Sequence, residues 1–185
     1  GGGMFKVDHF QFTATAPAAH LVEHTVRYWD KAGQQATGTP YTVGVRMCRL
    51  RGGHWVVEDV KRGRWSTHER ERIIKETAIA DGTDVTIWIE QEPGSGGKES
   101  ADATIRNLAG WSVYAEKPTG DKAFRADPYS VQVNNGNFTL LNALWNRDFV
   151  EEHRFFPYST YKDQVDAAAG AFNKLTQKKV CRRIT

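Results

Sequence analysis

Hydrophobic residues in the first half of the chain fall into short β-prone runs separated by turns rich in Gly, Pro and Asp. Three runs come in close succession, at 25–30 (TVRYWD), 41–50 (YTVGVRMCRL) and 54–65 (HWVVEDVKRGRW). Runs of this length with short connections favour an antiparallel meander. Two later runs, at 85–90 (VTIWIE) and 111–117 (WSVYAEK), stand apart from the meander and predict further strands.

Helical patterns fill the intervals between the later strands. Ser66 and Glu69 form a Ser-x-x-Glu capping box, and an apolar stripe follows it up to the Asp-Gly stop at 81–82. Further helices are predicted at roughly 99–109, near 121–131, near 142–154 and from about 163. A meander followed by right-handed β-α-β crossovers predicts an α/β fold, a mixed β-sheet flanked by helices on both faces. In that sheet the 25–30 strand is central, with the 85–90 strand parallel beside it.

Residues 1–24 lie outside this pattern. The Gly1–Gly3 run before Met4 is typical of a cloning remnant. Residues 4–24 carry scattered Phe and His with no sustained period, so we interpret them as a linker or an arm that packs on the body. Residues 25–185 are then predicted to form one domain with a basic C-terminal tail, a size that can bury a sizeable core.

Composition excludes several classes of protein. The chain is 39% hydrophobic and 25% charged, which is ordinary for a globular protein, and no apolar run approaches the ~20 residues that span a bilayer. Cys48 and Cys181 are far apart, which argues against a disulfide framework or a zinc site and suits a reducing cytosol. A net charge of +3 is too small to indicate nucleic acid, although basic clusters stand at 60–65 and 174–183. Such clusters form either a binding surface or a solvated face.

Acidic residues mark the ends of the two strands that are predicted to be parallel neighbours. Asp30 ends the first strand and Glu90 ends the 85–90 strand, so both should emerge at the same edge of the sheet. Asp163 and Asp166 stand one helical turn apart on the last helix. Carboxylates without Cys or His suit Mg²⁺ or Mn²⁺, and two such ions about 4 Å apart can drive phosphodiester cleavage. The alternative is that each acid is an ordinary solvated strand end or helix cap.

Five segments carry a resemblance to a known family: RYWDKA, VVEDVKRGRWSTHERE, IWIEQEPGSGGK, TGDKAFRADP and FFPYSTYKDQVDA. Their order and spacing over about 25–172 resemble the nuclease domain of tailed-bacteriophage large terminase subunits. The resemblance implies a ribonuclease H-like fold and a metal-dependent endonuclease that cuts concatemeric double-stranded viral DNA with little sequence specificity. It also implies a packaging ATPase domain that this chain lacks, a small terminase subunit and a portal as partners, and work at the procapsid in the host bacterial cytoplasm.

The resemblance carries over to individual acids. By position, Asp30, Glu90 and Asp163 correspond to the three catalytic, metal-binding acids that would hold two Mg²⁺ or Mn²⁺ ions. The family often has two adjacent acids before a hydrophobic-Asp-Ala motif, and here the first of them is Lys162. We therefore expect Asp163 to be the ligand and Asp166 to have an auxiliary role at the metal.

Basic residues in the matching segments are candidates for contacts with the DNA backbone, the kind of contact that cleavage without sequence preference needs. They are Arg62, Arg64, Lys98, Lys122 and Arg125. Each could instead be a plain surface charge, and Lys122 could form a salt bridge to a nearby acid. We interpret Glu92 as solvent-facing or close to DNA, with metal contact as a further alternative, and Asp59 as structural.

The glycine-rich stretch at 94–98 is followed by Glu99 and does not match a phosphate-binding GxxxxGK[ST] motif. The chain is therefore interpreted as an excised C-terminal nuclease domain.

Two other functions remain open from the sequence. One alternative is a DNA-gripping and docking module that is inactive without its ATPase domain. The other is a ribonuclease H-like nuclease of the resolvase or transposase type.

Overall fold

The structure, a computed structural model, describes residues 3–31 and 40–177, which form seven strands and five α-helices. The strands are β1 (Gln11–Thr13), β2 (Val22–Asp30), β3 (Thr42–Leu50), β4 (His54–Gly63), β5 (Thr86–Glu90), β6 (Val113–Glu116) and β7 (Phe138–Leu141). The helices are α1 (Thr67–Asp81), α2 (Ser95–Asn107), α3 (Lys122–Asn134), α4 (Asn146–Phe155) and α5 (Asp163–Thr176). Residues 32–39, Cys181 and the basic tail beyond 177 lie outside the described residues.

All seven strands belong to one mixed sheet with the order β1-β7-β4-β3-β2-β5-β6. The meander β2-β3-β4 is antiparallel, whereas β5 runs parallel to β2, β6 to β5, β7 to β4 and β1 to β7. The predicted mixed sheet, with the first long strand inside it and the 85–90 strand parallel beside it, is confirmed. Every strand except β3 therefore points the same way, so six C-terminal ends meet at one edge.

Helices cover both faces of the sheet, and the alternation of side chains along β2 assigns each residue to one face. Val26 and Tyr28 pack into the larger core cluster with α3, α4 and α5, whereas Trp29 packs into a second cluster with α1 and α2. Asp30 comes two residues after Tyr28, so its side chain lies on the same face of the sheet, the one covered by α5. On β5, Trp88 packs with the α5 cluster and Glu90 follows it on the same side.

Gly170 allows helix α5 to pack directly against the sheet at Tyr28. A Cβ atom at Gly170 would lie 2.4 Å from the ring of Tyr28, far inside van der Waals contact. The neighbouring residues 167–169 are all alanines and all buried. This contact places the first turn of α5 just beyond the C-terminal end of β2.

The N-terminal arm is part of the folded body rather than a loose connection. Phe5, Val7 and Phe10 are buried in the same core cluster as α3 and α4. Residues 11–13 then add a parallel edge strand to β7, and β2 begins at Val22, three residues before the predicted start at 25. The scattered apolar residues thus anchor an arm whose sequence has no regular period.

Two helices begin four residues away from their predicted starts, and one of them is α2, which begins at Ser95 instead of 99. Gly94 has a φ of +94° and forms the turn before the helix, where a side chain would be strained. A Cβ at Gly97 would lie 2.0 Å from the carbonyl oxygen of Glu92, so only glycine fits there. The glycines therefore build the first turn of α2 instead of a long open loop.

The other helices overlap their predicted positions. Helix α1 begins as the capping box predicts, because the Ser66 hydroxyl accepts a hydrogen bond from the Glu69 amide at 3.2 Å. Helix α3 continues to Asn134, and α4 begins at Asn146 rather than near 142. Across residues 3–31 and 40–177, no helix has both the length and the apolar character needed to cross a membrane.

Candidate metal centre

Three carboxylates meet at the edge of the sheet where the strands end. Asp30 comes from β2, Glu90 from β5 and Asp166 from the first turns of α5, and each offers an oxygen that lies within 4.8 Å of the others. All three residues are at most 8% exposed. The predicted convergence of Asp30 and Glu90 at one edge is therefore present, with an acid from α5 beside them.

Burial and mutual repulsion make this cluster electrostatically costly without a cation. Burial, followed by the charges of Glu90 and Asp166, raises the pKa of Asp30 well above its usual range. Burial, followed by the charge of Glu90, raises the pKa of Asp166 to about 6. The protein alone therefore does not compensate the full negative charge of the three acids.

The donor set fits a hard divalent cation. The Asp30 Oδ2 and Asp166 Oδ2 atoms are buried, and neither has a hydrogen-bond partner among the described residues. Carboxylate oxygens with free lone pairs and no neighbouring Cys or His are the ligands that Mg²⁺ and Mn²⁺ prefer. A metal ion among these oxygens would satisfy both orphaned atoms and relieve the repulsion.

Two basic residues of α3 partly neutralise the cluster. Arg125 Nη1 lies 2.9 Å from Glu90 Oε1, and its Nη2 lies 3.2 Å from Asp166 Oδ1. Lys122 Nζ lies 3.6 Å from Asp166 Oδ2 and 3.8 Å from Asp163 Oδ1. Burial alone would lower the pKa of Lys122, but the surrounding carboxylates, Asp166 first, raise it overall.

Asp163 and Asp166 take different places, and the reason is geometric. Asp166 stands one helical turn before Gly170, the residue that packs on Tyr28, so it lies over the end of β2. Asp163 begins the helix about 5 Å further along its axis, beside Lys122. The sequence favoured Asp163 as the third ligand, whereas the structure groups Asp166 with Asp30 and Glu90.

The predicted DNA contacts separate into two groups. Lys122 and Arg125 lie against the acids, so the salt-bridge alternative considered for Lys122 is the arrangement observed. Arg62 and Arg64 stack on Tyr41, with guanidinium carbons 3.7 and 4.4 Å from the ring centroid. This pair stands at the C-terminal end of β4, on the same edge of the sheet as the acids.

Lys98 and Glu92 lie on the other side of the cluster, near α2. Lys98 is exposed in the first turn of α2, where it remains available to a phosphate. Glu92 is exposed, as expected, and lines a cavity of about 600 Å³ that also borders Glu90 and Lys31. Of the three clustered acids, Glu90 is the one that lines this cavity.

Lys31 is a functional candidate that the sequence reasoning missed. Its buried Nζ donates hydrogen bonds to the Ser100 carbonyl at 3.0 Å, the Ser100 hydroxyl at 2.7 Å and the Thr104 hydroxyl at 2.9 Å. Burial lowers its pKa to about 8. Lys31 directly follows Asp30, so it ties the end of β2 to α2. A lysine immediately after a buried strand end was the available signal.

Asp59 has the structural role expected of it. Its carboxylate lies 2.8 Å from Arg27 Nη1, and Arg27 also binds Asp81 at 2.9 Å. Arg27 is 2% exposed and sits on the α1 side of β2, away from Asp30. These ion pairs attach the end of α1 to the sheet.

A comparison with known protein families identifies the family to which this chain belongs. The family model described as the terminase RNase H-like domain matches residues 27–175, most of the chain. The chain belongs to this terminase family. The predicted terminase resemblance and the ribonuclease H-like fold are thereby confirmed. No curated protein matches the sequence.

Solved structures agree on the fold of this terminase domain. The large terminase nuclease domain of Thermus phage P74-26 is 12% identical, with 96% of this chain and 98% of that chain covered and a TM-score of 0.66. The large terminase nuclease of thermophilic phage G20c with bound magnesium is 13% identical. The match covers 93% of this chain and 97% of that chain, with a TM-score of 0.60. The human cytomegalovirus terminase nuclease domain is 13% identical. The match covers 97% of this chain and 93% of that chain, with a TM-score of 0.62. The G20c nuclease has also been solved with zinc and with cobalt.

Proposed function

We propose that this terminase domain is an endonuclease that cuts double-stranded viral DNA with the help of two Mg²⁺ or Mn²⁺ ions. The observation that carries the proposal is the convergence of Asp30, Glu90 and Asp166 at the C-terminal edge of the sheet. Binding of zinc, cobalt and magnesium to the G20c nuclease domain supports the requirement for metal.

Different residues of this chain would have different roles in such a metal centre. Asp30, Glu90 and Asp166 would hold the metal, and bound Mg²⁺ or Mn²⁺ would activate a water and stabilise the leaving oxygen. Arg125 orients Glu90 and Asp166 by bonding to one oxygen of each. Lys31 holds the end of β2, and hence Asp30, against α2. Asp163 stands beside Lys122 and adds negative charge to the same region.

The substrate that fits this edge of the sheet is duplex DNA held by its backbone. Arg62, Arg64 and Lys98 flank the acid cluster and would contact phosphates, which carry no sequence information. The cavity beside Glu90 leaves room for a DNA strand to approach that acid. Cutting with little sequence specificity follows from contacts of this kind.

The setting we propose is a viral packaging motor. The domain would act beside a packaging ATPase domain, with a small terminase subunit and a portal, at the procapsid in the bacterial cytoplasm. Membership of the terminase family supports this setting. A large terminase from another thermophilic bacteriophage matches this chain over only 44% of its own length, so a domain of this fold occurs there within a longer terminase chain.

Cleavage of supercoiled plasmid tests the proposal. With Mn²⁺ or Mg²⁺ the wild-type chain should produce nicked and linear DNA, and EDTA should abolish both products. Asp30→Asn should lose cleavage by a factor of at least about a hundred, since a metal ligand is removed. Asp84→Asn is the matched control, because Asp84 is exposed at the opposite end of β5. Equal cleavage by Asp30→Asn would overturn the proposal.

A DNA-binding measurement and a cleavage assay on four-way junctions separate the alternatives. Salt-sensitive DNA binding without cleavage in either metal would favour a gripping module that needs its ATPase domain. Strong preference for four-way junctions over linear duplex would favour a nuclease of the resolvase type.

A further inference from the structure

The N-terminus of α5 is capped by a residue from a different helix. The residue before α5, Lys162, makes no capping hydrogen bond with its side chain. The first amides of a helix need acceptors from outside it. Glu152 of α4 supplies one, because its Oε2 accepts a hydrogen bond from the Val165 amide at 2.6 Å and its Oε1 accepts one from Gln164 Nε2 at 3.2 Å.

This cap acts directly beside the metal centre. Val165 immediately precedes Asp166, the acid that α5 contributes to the cluster with Asp30 and Glu90. Glu152 is 7% exposed, so its carboxylate is committed to this contact instead of to solvent. The place where the first turn of α5 is held therefore decides where the Asp166 carboxylate lies.

Glu152 itself is held on a rigid support. The next residue, His153, is fully buried, with its Nε2 in a hydrogen bond of 2.8 Å to the Tyr129 hydroxyl and its Nδ1 2.7 Å from the Phe149 carbonyl. Gln164 also donates to the Asp148 carbonyl at 3.3 Å, which adds a second link between α4 and the start of α5. Helix α4 is thus held in place, and its residue Glu152 caps α5, the helix that carries Asp166.

We infer that Glu152 is a positioning residue of the metal centre, which sets Asp166 opposite Asp30 and Glu90 by capping α5. It contacts neither the metal nor DNA. The inference rests on the proposed function, in which these three acids bind a divalent metal. Residues that support metal ligands typically contribute 10–100-fold to metal affinity, and we expect an effect of this size.

Mn²⁺ binding to the intact chain, measured by calorimetry, tests the role of the cap. Glu152→Met keeps the buried volume but removes both acceptor oxygens, so Mn²⁺ affinity should fall by about tenfold or more. Glu152→Gln keeps an oxygen that accepts from the Val165 amide, so its Mn²⁺ affinity should stay within about threefold of the wild type. Hydrogen exchange at the Val165 amide, measured without metal, should accelerate in Glu152→Met and not in Glu152→Gln.

Two controls isolate positioning from general destabilisation. Glu151→Gln changes the neighbouring acid, which is exposed and paired with Arg154 at 3.0 Å. Ser66→Ala removes the cap of α1, a helix that carries none of the three clustered acids, and should lower stability by about 1 kcal/mol. Both should retain wild-type Mn²⁺ affinity.

Each outcome decides between the two claims. Wild-type affinity in Glu152→Met, or an equal loss in Ser66→Ala, would overturn the role of Glu152 and leave the proposed function intact. A tenfold loss in Glu152→Gln would also overturn it, because charge rather than capping would then be responsible. Absence of Mn²⁺ binding by the wild type would overturn the proposed function. In that case, unchanged exchange at Val165 in Glu152→Met would separately show that Glu152 does not cap α5.

Discussion

Arg125 Nη1 lies 2.9 Å from Glu90 Oε1, and the same guanidinium reaches Asp166 on α5 with its other terminal nitrogen. One side chain from α3 therefore links the end of β5 to the first turn of α5. Arg125 and Lys122 together act as internal counter-ions of the acid cluster. A divalent metal that binds these oxygens must share them with the two basic residues, and this competition has measurable consequences.

Lys122→Met should bind Mn²⁺ more tightly than the wild type. Lys122 approaches Asp166 and Asp163 at 3.6 and 3.8 Å, beyond hydrogen-bond distance, so its removal relieves repulsion of the metal without loss of an orienting bond. Because its side chain is 40% exposed and partly screened, we expect a gain of roughly fivefold. Calorimetric titration with Mn²⁺ measures it, with the exposed Lys75→Met as control. Weaker binding would show that Lys122 supports the metal instead of competing with it.

Asp166→Asn should stabilise the metal-free protein at neutral pH. The pKa of Asp166 is raised to about 6 in the folded state, so the folded protein holds this proton more tightly than the unfolded chain. The penalty for ionising Asp166 in the folded state is therefore absent below about pH 4, develops between about pH 4 and 6, and is complete at pH 7. In EDTA the Tm of Asp166→Asn should exceed that of the wild type by roughly 5 °C at pH 7.

The difference in Tm should disappear near pH 4, and Mn²⁺ should reverse it at pH 7 by stabilising only the wild type. Asp84→Asn, at an exposed position, should follow the wild type at every pH. A Tm difference for Asp166→Asn that is independent of pH would contradict the assignment of the raised pKa.

Gly170→Ala should destabilise the protein and displace α5. The new methyl group would lie 2.4 Å from the ring of Tyr28, and overpacking of this kind costs about 1–3 kcal/mol. Urea unfolding measures the change. Gly96→Ala is the matched control, since its added Cβ meets nothing within 4 Å and it lies in helix α2. There the substitution should stabilise by about 0.5–1 kcal/mol. Equal stability of the two variants would exclude tight packing of α5 on Tyr28.

Arg64→Ala should weaken DNA binding without any change in sequence preference. Arg64 stacks on Tyr41 and bonds to the Tyr161 hydroxyl at 2.5 Å, on the edge of the sheet that carries the acids. Loss of one phosphate contact should reduce the slope of log affinity against log salt concentration by about 1. Fluorescence anisotropy with duplex DNA in EDTA measures it, and Arg72→Ala, on the exposed face of α1, is the control. An unchanged slope would show that Arg64 does not contact the DNA backbone.

The sequence was sufficient to predict five of the seven strands, the mixed character of the sheet and two of the three clustered acids, but neither β1 nor β7. Asp30 and Glu90 end parallel neighbouring strands, and side-chain alternation places both on the face covered by α5. These features depend on period and direction, which are local properties of the chain. The predicted mixed sheet and the helices on both faces follow from the same local patterns.

The choice between Asp163 and Asp166 depends on a property that the sequence does not contain. Spacing within a helix shows that the two acids share a face, but the position of α5 along the sheet comes from the contact of Gly170 with Tyr28 and from the cap by Glu152. Both contacts join residues from separate elements of the fold. The pairing of Arg125 with Glu90 was hidden for the same reason.

The most direct test of the account is anomalous diffraction from crystals of this chain soaked in Mn²⁺. The account predicts anomalous peaks about 4 Å apart, at about 2.1 Å from carboxylate oxygens of Asp30, Glu90 and Asp166. A peak held by Asp163 in place of Asp166, or no peak at these three acids, would contradict it.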